Sequence, residues 1–297
     1  MNVALAGCGR WGSRILADLT SFGARVWVAD PSPTARNTAL AGGAAGAFPH
    51  IEDLPPVSGA VVATPTLLHA EAIERLAARP IPVFCEKPLT SDGRSAVRLA
   101  ERHGGRLFLM DKWRYHPAVE EIGKRHRSGE WGPLRSLRTR REEPEISGHD
   151  VDPVWVLAPH ELSIGAEILG DVPAPSEARG EWDGGALTGL TAAFGDDGAF
   201  GFTVSARAPR RAREIVLSCR DAEVRWTLED EHALSIARGG ETTWDEVADE
   251  PPLAREIRVF LAYLEGGPAP KTGAREAAGS VLLLEEARAL AGIRGRD

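Results

Sequence analysis

The sequence predicts an α/β plus α+β chain: a doubly wound parallel sheet at the N-terminus, then a domain with an open, mainly antiparallel sheet and flanking helices. Three features point there. Asn2 to Ala6 is a short apolar run that passes into Gly7-Cys8-Gly9-Arg10-Trp11-Gly12 and then into a segment of helical spacing. Strand, turn and helix alternate again from Ala24 to Ala29, Ala60 to Ala63, Pro80 to Glu86 and Arg106 to Met110, a rhythm that calls for parallel strands with helical crossovers. From Ser176 onward the pattern becomes alternating runs punctuated by Gly, Asp and Pro, as in an antiparallel meander. The boundary falls near residue 113, giving domains over 1–113 and 114–297.

At 297 residues the chain is long enough for two ordinary domains. Its 43% hydrophobic and 26% charged content is that of a globular protein. A net charge of −8 argues against a nucleic-acid or anionic-membrane partner and leaves a small molecule as the expected ligand. Cys8, Cys85 and Cys219 are too few and too scattered for a disulfide framework or a zinc site, so no metal is expected. His149, Asp150 and Asp152 lie close together, but a loop and a helix cap account for them. No apolar span of membrane length occurs and no charged leader precedes the first strand, so a cytoplasmic location is expected.

The glycine turn has the G-x-G-x-x-G form of a Rossmann dinucleotide site, in strand–turn–helix context. Gly7 permits the tight turn, Gly9 lets the backbone approach a pyrophosphate, and Gly12 lets helix and strand pack closely. With Arg10 and Trp11 between them, these residues are the first cofactor-binding candidates. Asp30 ends the second strand, where a carboxylate can accept hydrogen bonds from the adenine-ribose hydroxyls and repel a 2′-phosphate. NAD is therefore expected over NADP, with Ser32 and Arg36 near enough in sequence to keep NADP open.

Val83-Phe-Cys-Glu86-Lys87-Pro88 reads as a buried strand that delivers a lysine to the carboxyl edge of the sheet, where α/β folds hold their ligands. Pro88 biases Lys87 toward an extended conformation. Further on, Asp152-Pro153 opens a helix that runs to Leu169, stops at Gly170 and carries His160. Pro133 to Arg141 alternates as a strand. Its Arg135, Arg138, Arg140 and Arg141 form a solvated face, with an anion site for a phosphorylated substrate as the alternative. Glu142 to Asp150 reads as a loop, and Leu253–Glu265 and Ala274–Leu290 have helical spacing.

These landmarks occur together and in order: the glycine turn, Ala63-Thr64-Pro65 with His69, Glu86-Lys87-Pro88, and Arg114-Tyr115-His116-Pro117. In this the chain resembles the glucose–fructose oxidoreductase / inositol dehydrogenase / rhizopine-catabolism (Gfo/Idh/MocA) family over essentially its whole length. The resemblance implies that Ala63, Thr64 and Pro65 line the cofactor cleft, that Glu86 and Lys87 sit beside the nicotinamide, and that Trp113 and Arg114 lie near its ribose or amide. Core packing is the alternative for Trp113. It implies that His160 is the acid/base, that the second domain binds substrate, and that its open sheet forms a homodimer or homotetramer. His69 is expected to be a helix-face residue without a catalytic part. One departure is plain: the family usually carries an aspartate four residues before the histidine, and here that position is Val156.

The expected activity is NAD(P)-dependent hydride transfer to or from a sugar, cyclitol or related hydroxy or keto compound. Lys87 supplies a cation or relays a proton, and His160 acts as base or acid near neutral pH. The Val156 departure motivates two alternatives: reduction of an imine or non-sugar carbonyl, and an NAD-binding accessory protein with weakened turnover.

Overall fold

The computed structural model describes residues 1–144, 146 and 148–293. The chain divides into two compact units. The first comprises Met1–Lys112 and Pro252–Val281; the second comprises Trp113–Pro251 and the residues from Leu282 on.

The first unit begins with β1 (Asn2–Ala6), α1 (Arg10–Ser21), β2 (Arg25–Ala29), α2 (Pro33–Ala41), β3 (Gly46–Phe48), β4 (Gly59–Val62), α3 (His69–Ala77), β5 (Val83–Glu86), α4 (Gly93–His103) and β6 (Leu107–Met110). All six strands are parallel, in the order β3-β2-β1-β4-β5-β6. This is the doubly wound arrangement, and its strand order reverses between β1 and β4. The strands are buried on both faces, which is why they read as near-continuous apolar runs. Val3, Leu5, Val26, Val28, Val61 and Phe84 meet Ile15, Leu16 and Leu19 of α1 in one core. Strand β3 escaped the sequence reading, because three half-buried residues, Gly-Ala-Phe, carry no periodicity.

The second unit runs through α5 (Pro117–Arg127), β7 (Leu134–Glu142), α6 (Pro153–Leu169), β8 (Pro175–Asp183), β9 (Ala186–Phe194), β10 (Phe200–Ser205), β11 (Ala212–Cys219), β12 (Glu223–Thr227), β13 (Ala233–Arg238) and β14 (Glu241–Glu246). The eight strands are ordered β14-β13-β12-β11-β7-β10-β9-β8. The meander is interrupted at its centre by β7, which pairs antiparallel with β11 and parallel with β10. A central place satisfies both rows of its backbone groups. The polar run of β14 gives no apolar signal; it is paired because Gly239 and Gly240, both at positive φ, close a two-residue hairpin from β13. The loop expected from Glu142 to Asp150 starts where β7 ends, and its Glu145 and Ser147 lie outside the described residues.

The helix carrying His160 starts and stops where its signals demand. The Asp152 carboxylate accepts from the N–H groups of Val154 and Trp155, and Gly170 takes φ +90° at the C-cap. Of the last two helices, α7 (Pro252–Leu264) belongs to the first unit, where Phe260 stacks on Phe84 at 4.8 Å. The division falls within α8 (Ala274–Leu290). No helix among the described residues is long and apolar enough to cross a membrane.

Candidate functional site

Strand register assembles the first half of the site. Ala29, Ala6, Val62 and Cys85 are cross-strand neighbours in successive pairs. The residues that follow them, Asp30, Gly7, Ala63 and Glu86, therefore stand in one row along the carboxyl edge. This is where a doubly wound sheet binds ligands. Sequence neighbours on the row bring Thr64, Pro65 and Lys87 to the same edge.

The glycine turn is shaped for close approach. Gly7 sits at φ +88°, and a Cβ there would lie 2.6 Å from the Ala63 carbonyl oxygen. A Cβ on Gly12 would collide with the Gly7 carbonyl oxygen, whereas a Cβ on Gly9 would meet nothing within 4 Å. The tight turn and the helix–strand contact thus need glycine for internal reasons, and the space over Gly9 is open. Gly9 is also the N-cap of α1; it has no capping side chain, and no acidic residue stands in the first turn. The first N–H groups of the helix are thereby left to an anion. Beside them the Thr64 hydroxyl is buried with no partner among the described residues. These features fit a dinucleotide pyrophosphate.

Asp30 is tied into this turn. One carboxylate oxygen accepts from the Cys8 N–H at 2.8 Å and the other from the Ser32 N–H at 2.9 Å. A carboxylate has about four acceptor sites, so capacity remains for ribose hydroxyls. Arg36, the residue that kept NADP open, donates to the main-chain carbonyls of Asp30 and Pro31 at 2.8 and 2.9 Å.

Around Glu86 the site tightens. Its carboxylate accepts from the Trp11 indole N–H and, at 3.1 Å, from the Lys87 N–H. Lys112 lies over the Trp11 ring at 4.5 Å. The Lys87–Pro88 peptide is cis. His69, expected on a helix face, is 1% exposed and braces two turns: Nδ1 is 2.9 Å from the Pro88 carbonyl oxygen and Nε2 3.0 Å from that of Thr64. It positions the backbone on both sides of the row.

Sequence reasoning missed Glu256 of α7. It is 1% exposed, and one carboxyl oxygen has no partner among the described residues. Burial, then the charges of Glu86 and Asp111, hold its carboxyl well above the usual carboxylate range. The signal was available: Glu256 interrupts the apolar stripe Leu253, Ile257, Phe260 and Leu264.

In the second unit, Trp113 is 3% exposed. Its ring stacks on His116 at 4.8 Å and meets Trp226 and His160 edge-on at 5.7 and 6.4 Å. Arg114 donates to Glu167 at 3.2 Å. Asp152 is fully engaged, capping α6 and holding both Arg288 nitrogens at 3.0 and 2.9 Å, so it does not replace the carboxylate absent at Val156. Glu161, the residue after His160, is turned to Arg141 at 2.5 Å.

The expected arginine face needs correction. Arg135, Arg138 and Arg140 are exposed, but Arg141 is 2% exposed and points to the other side, because successive strand residues alternate. Arg213, also missed, shares that inner side with Ile215 and Leu217.

Residues 1–110 match the model of an oxidoreductase family with an NAD-binding Rossmann fold. An inositol 2-dehydrogenase of Streptomyces avermitilis is 28% identical over 338 residues, spanning 100% of this chain and 92% of that protein. The fold is shared with levoglucosan dehydrogenase, solved with NADH, at TM-score 0.86 and 17% identity over 98% of this chain and 97% of that one. It is shared equally with a 3-ketoreductase from Actinomadura kijaniata, solved with NADP, at TM-score 0.85 and 18% identity over 97% of each chain. Fold and glycine turn together define an oxidoreductase with an NAD(P)-binding Rossmann domain. Within that class, the match over residues 1–110 is to the Gfo/Idh/MocA family model.

Proposed function

We propose that the chain is an NAD-dependent dehydrogenase of a sugar, cyclitol or related hydroxy or keto compound, with Lys87 and His160 handling the substrate proton. The observation that carries this reading is the row Asp30, Gly7, Ala63 and Glu86 on one sheet edge, with Lys87 next in the chain. When bound, a nicotinamide supplies the hydride acceptor or donor. Lys87 is half-buried, and its backbone is held by Glu86 on one side and by the buried Pro88 on the other. An ammonium so placed lowers the energy of a developing alkoxide. The His160 imidazole takes or returns the hydroxyl proton. The substrate class draws support from relatives named for inositol and levoglucosan. Preference for NAD rests on the carboxylate of Asp30 and on Arg36 being directed to main-chain carbonyls. Assembly as a homodimer or homotetramer through the second unit's sheet is part of the same reading; Trp182 and Trp244, on its two edge strands, are 51% and 58% exposed.

Val156, half-buried one turn before His160, favours a second reading in which an apolar wall faces an imine or non-sugar carbonyl. A panel of polyols against cyclic imines separates the two. The direct test is Lys87→Met. Turnover should fall ~10²–10⁴-fold while NADH binding, followed by its fluorescence, stays close to that of the parent enzyme. Unchanged turnover removes Lys87 from the chemistry.

A further inference from the structure

We infer that Arg141 and Arg213 form an anion-recognition subsite in the second unit, and that the substrate carries a carboxylate, as a uronate or aldonate does. This deepens the dehydrogenase reading and rests on it.

The first support is a conflict in the sheet. Arg141 of β7 and Arg213 of β11 are directly opposed cross-strand partners on the inner side. Like charges in that relation destabilise a sheet. The neighbouring outward pair is complementary: Arg140 opposes Glu214, with their charged groups at 3.7 Å, and Arg225 reaches Glu214 at 3.4 Å. The same two strands thus match charge where the site is solvated and mismatch it where the site is buried.

The carboxylates do not cancel the mismatch. Glu161 takes Arg141 at 2.5 Å, while a single oxygen of Glu143 serves both Arg211 at 3.0 Å and Arg213 at 2.9 Å. Three guanidinium groups, the solvent-facing Arg211 among them, share two carboxylates, so Arg213 has only part of one counter-charge. Arg213 cannot escape by losing its proton: burial, then the charge of Arg141, pulls its pKa down only to about 10, so it stays cationic at neutral pH.

The surroundings offer donors. Among the described residues, Nε of Arg213, Nε1 of Trp113 and the hydroxyl of Thr139 are buried with no partner. Thr139 is 4% exposed and lies on the same side of β7, two residues before Arg141. The Trp113 ring carries the Arg141 guanidinium at 4.5 Å and that of Arg213 at 5.7 Å, and meets the His160 imidazole edge-on. The cationic pair and the proposed acid/base share one aromatic platform. Arg141 is 3% exposed in its side chain and Arg213 19%, so Arg213 is the arm that can reach a ligand. A single carboxylate meets that shortfall, whereas a phosphate monoester, with nearly twice the charge, exceeds it.

The test compares kcat/KM for a neutral polyol, the matching carboxylate and the matching phosphate in the parent enzyme, Arg213→Gln and Arg213→Lys, with melting temperatures alongside. In the parent the carboxylate should be preferred. In Arg213→Gln the carboxylate-to-polyol ratio should fall ~10–100-fold, with Arg213→Lys between the two. The melting temperature of Arg213→Gln should hold or rise, because a repulsion is removed. An unchanged ratio, or a selective loss confined to the phosphate, overturns the assignment. If no substrate turns over, calorimetric binding of the carboxylate to the NAD-loaded protein still decides: Arg213-dependent binding upholds the subsite while the hydride-transfer reading fails, and equal binding to both variants overturns it.

Discussion

At the sheet edge of the first unit, Glu86, Asp111 and Glu256 are buried near one another; in the second unit, buried Arg141 and half-buried Arg213 stand face to face. Both arrangements crowd like charges away from water, but they relieve the crowding differently. A carboxyl group can take up a proton, and Glu256, held well above the usual carboxylate range by burial and then by Glu86 and Asp111, is the member placed to do so. A guanidinium keeps its proton at any working pH, so it needs a counter-charge. Glu161 supplies one to Arg141, while Arg213 has only the Glu143 oxygen that it shares with Arg211. The acid cluster is relieved by a proton; the arginine pair, in the subsite inferred above, is relieved further by an anion from outside.

The sharpest way to break this contrast is to remove the one dedicated counter-charge. Glu161→Gln leaves Arg141 buried and uncompensated, and should cost about 3–5 kcal/mol in urea unfolding. Replacing both partners, in Arg141→Met/Glu161→Leu, should cost much less. If the single variant is as stable as the parent, the inner arginines are not under electrostatic load.

A smaller effect sharpens the acid side. Folded Glu256 holds a proton that the unfolded chain releases as pH rises through its ordinary value of 4.5. The folded state then binds more protons, so stability falls with rising pH from that point up to the raised folded pKa, by about 1.4 kcal/mol per pH unit. Below pH 4.5 both states are protonated and the penalty is absent. Glu256→Gln should flatten that slope and stabilise the protein at neutral pH relative to the parent. An identical slope in parent and variant would show that Glu256 is ionised in the fold.

The smallest effect concerns a carboxylate in the first unit that is not buried away. Asp30→Ser removes the charge that faces a 2′-phosphate, and the NAD-to-NADP ratio of kcat/KM should drop ~10-fold. A parent enzyme that already prefers NADP would reverse the reading of Asp30.

Much of the first unit, and helix α6 of the second, was legible in order along the chain. Glycine positions, strand ends and the cap of α6 are local devices, and each acts within a few residues of where it is written. Gly7, Gly12, Asp152 and Gly170 do what their sequence contexts require. What stayed hidden was decided by partners far away in sequence. The Glu256 carboxyl is pushed up only because α7 returns to β5 and β6, and His69 became a brace because two turns close over it. Arg141 looked like a surface charge, and Arg213 drew no reading, until strand pairing opposed them.

The sequence by itself determined the order of the elements, the dinucleotide turn and the residues that end each strand, because backbone preference and hydrophobic period are set by near neighbours. Only the tertiary structure decided which charges lose water together. The energy of a buried charge depends on what stands across from it, and residues 72 apart in the chain, Arg141 and Arg213, meet only when β7 and β11 pair.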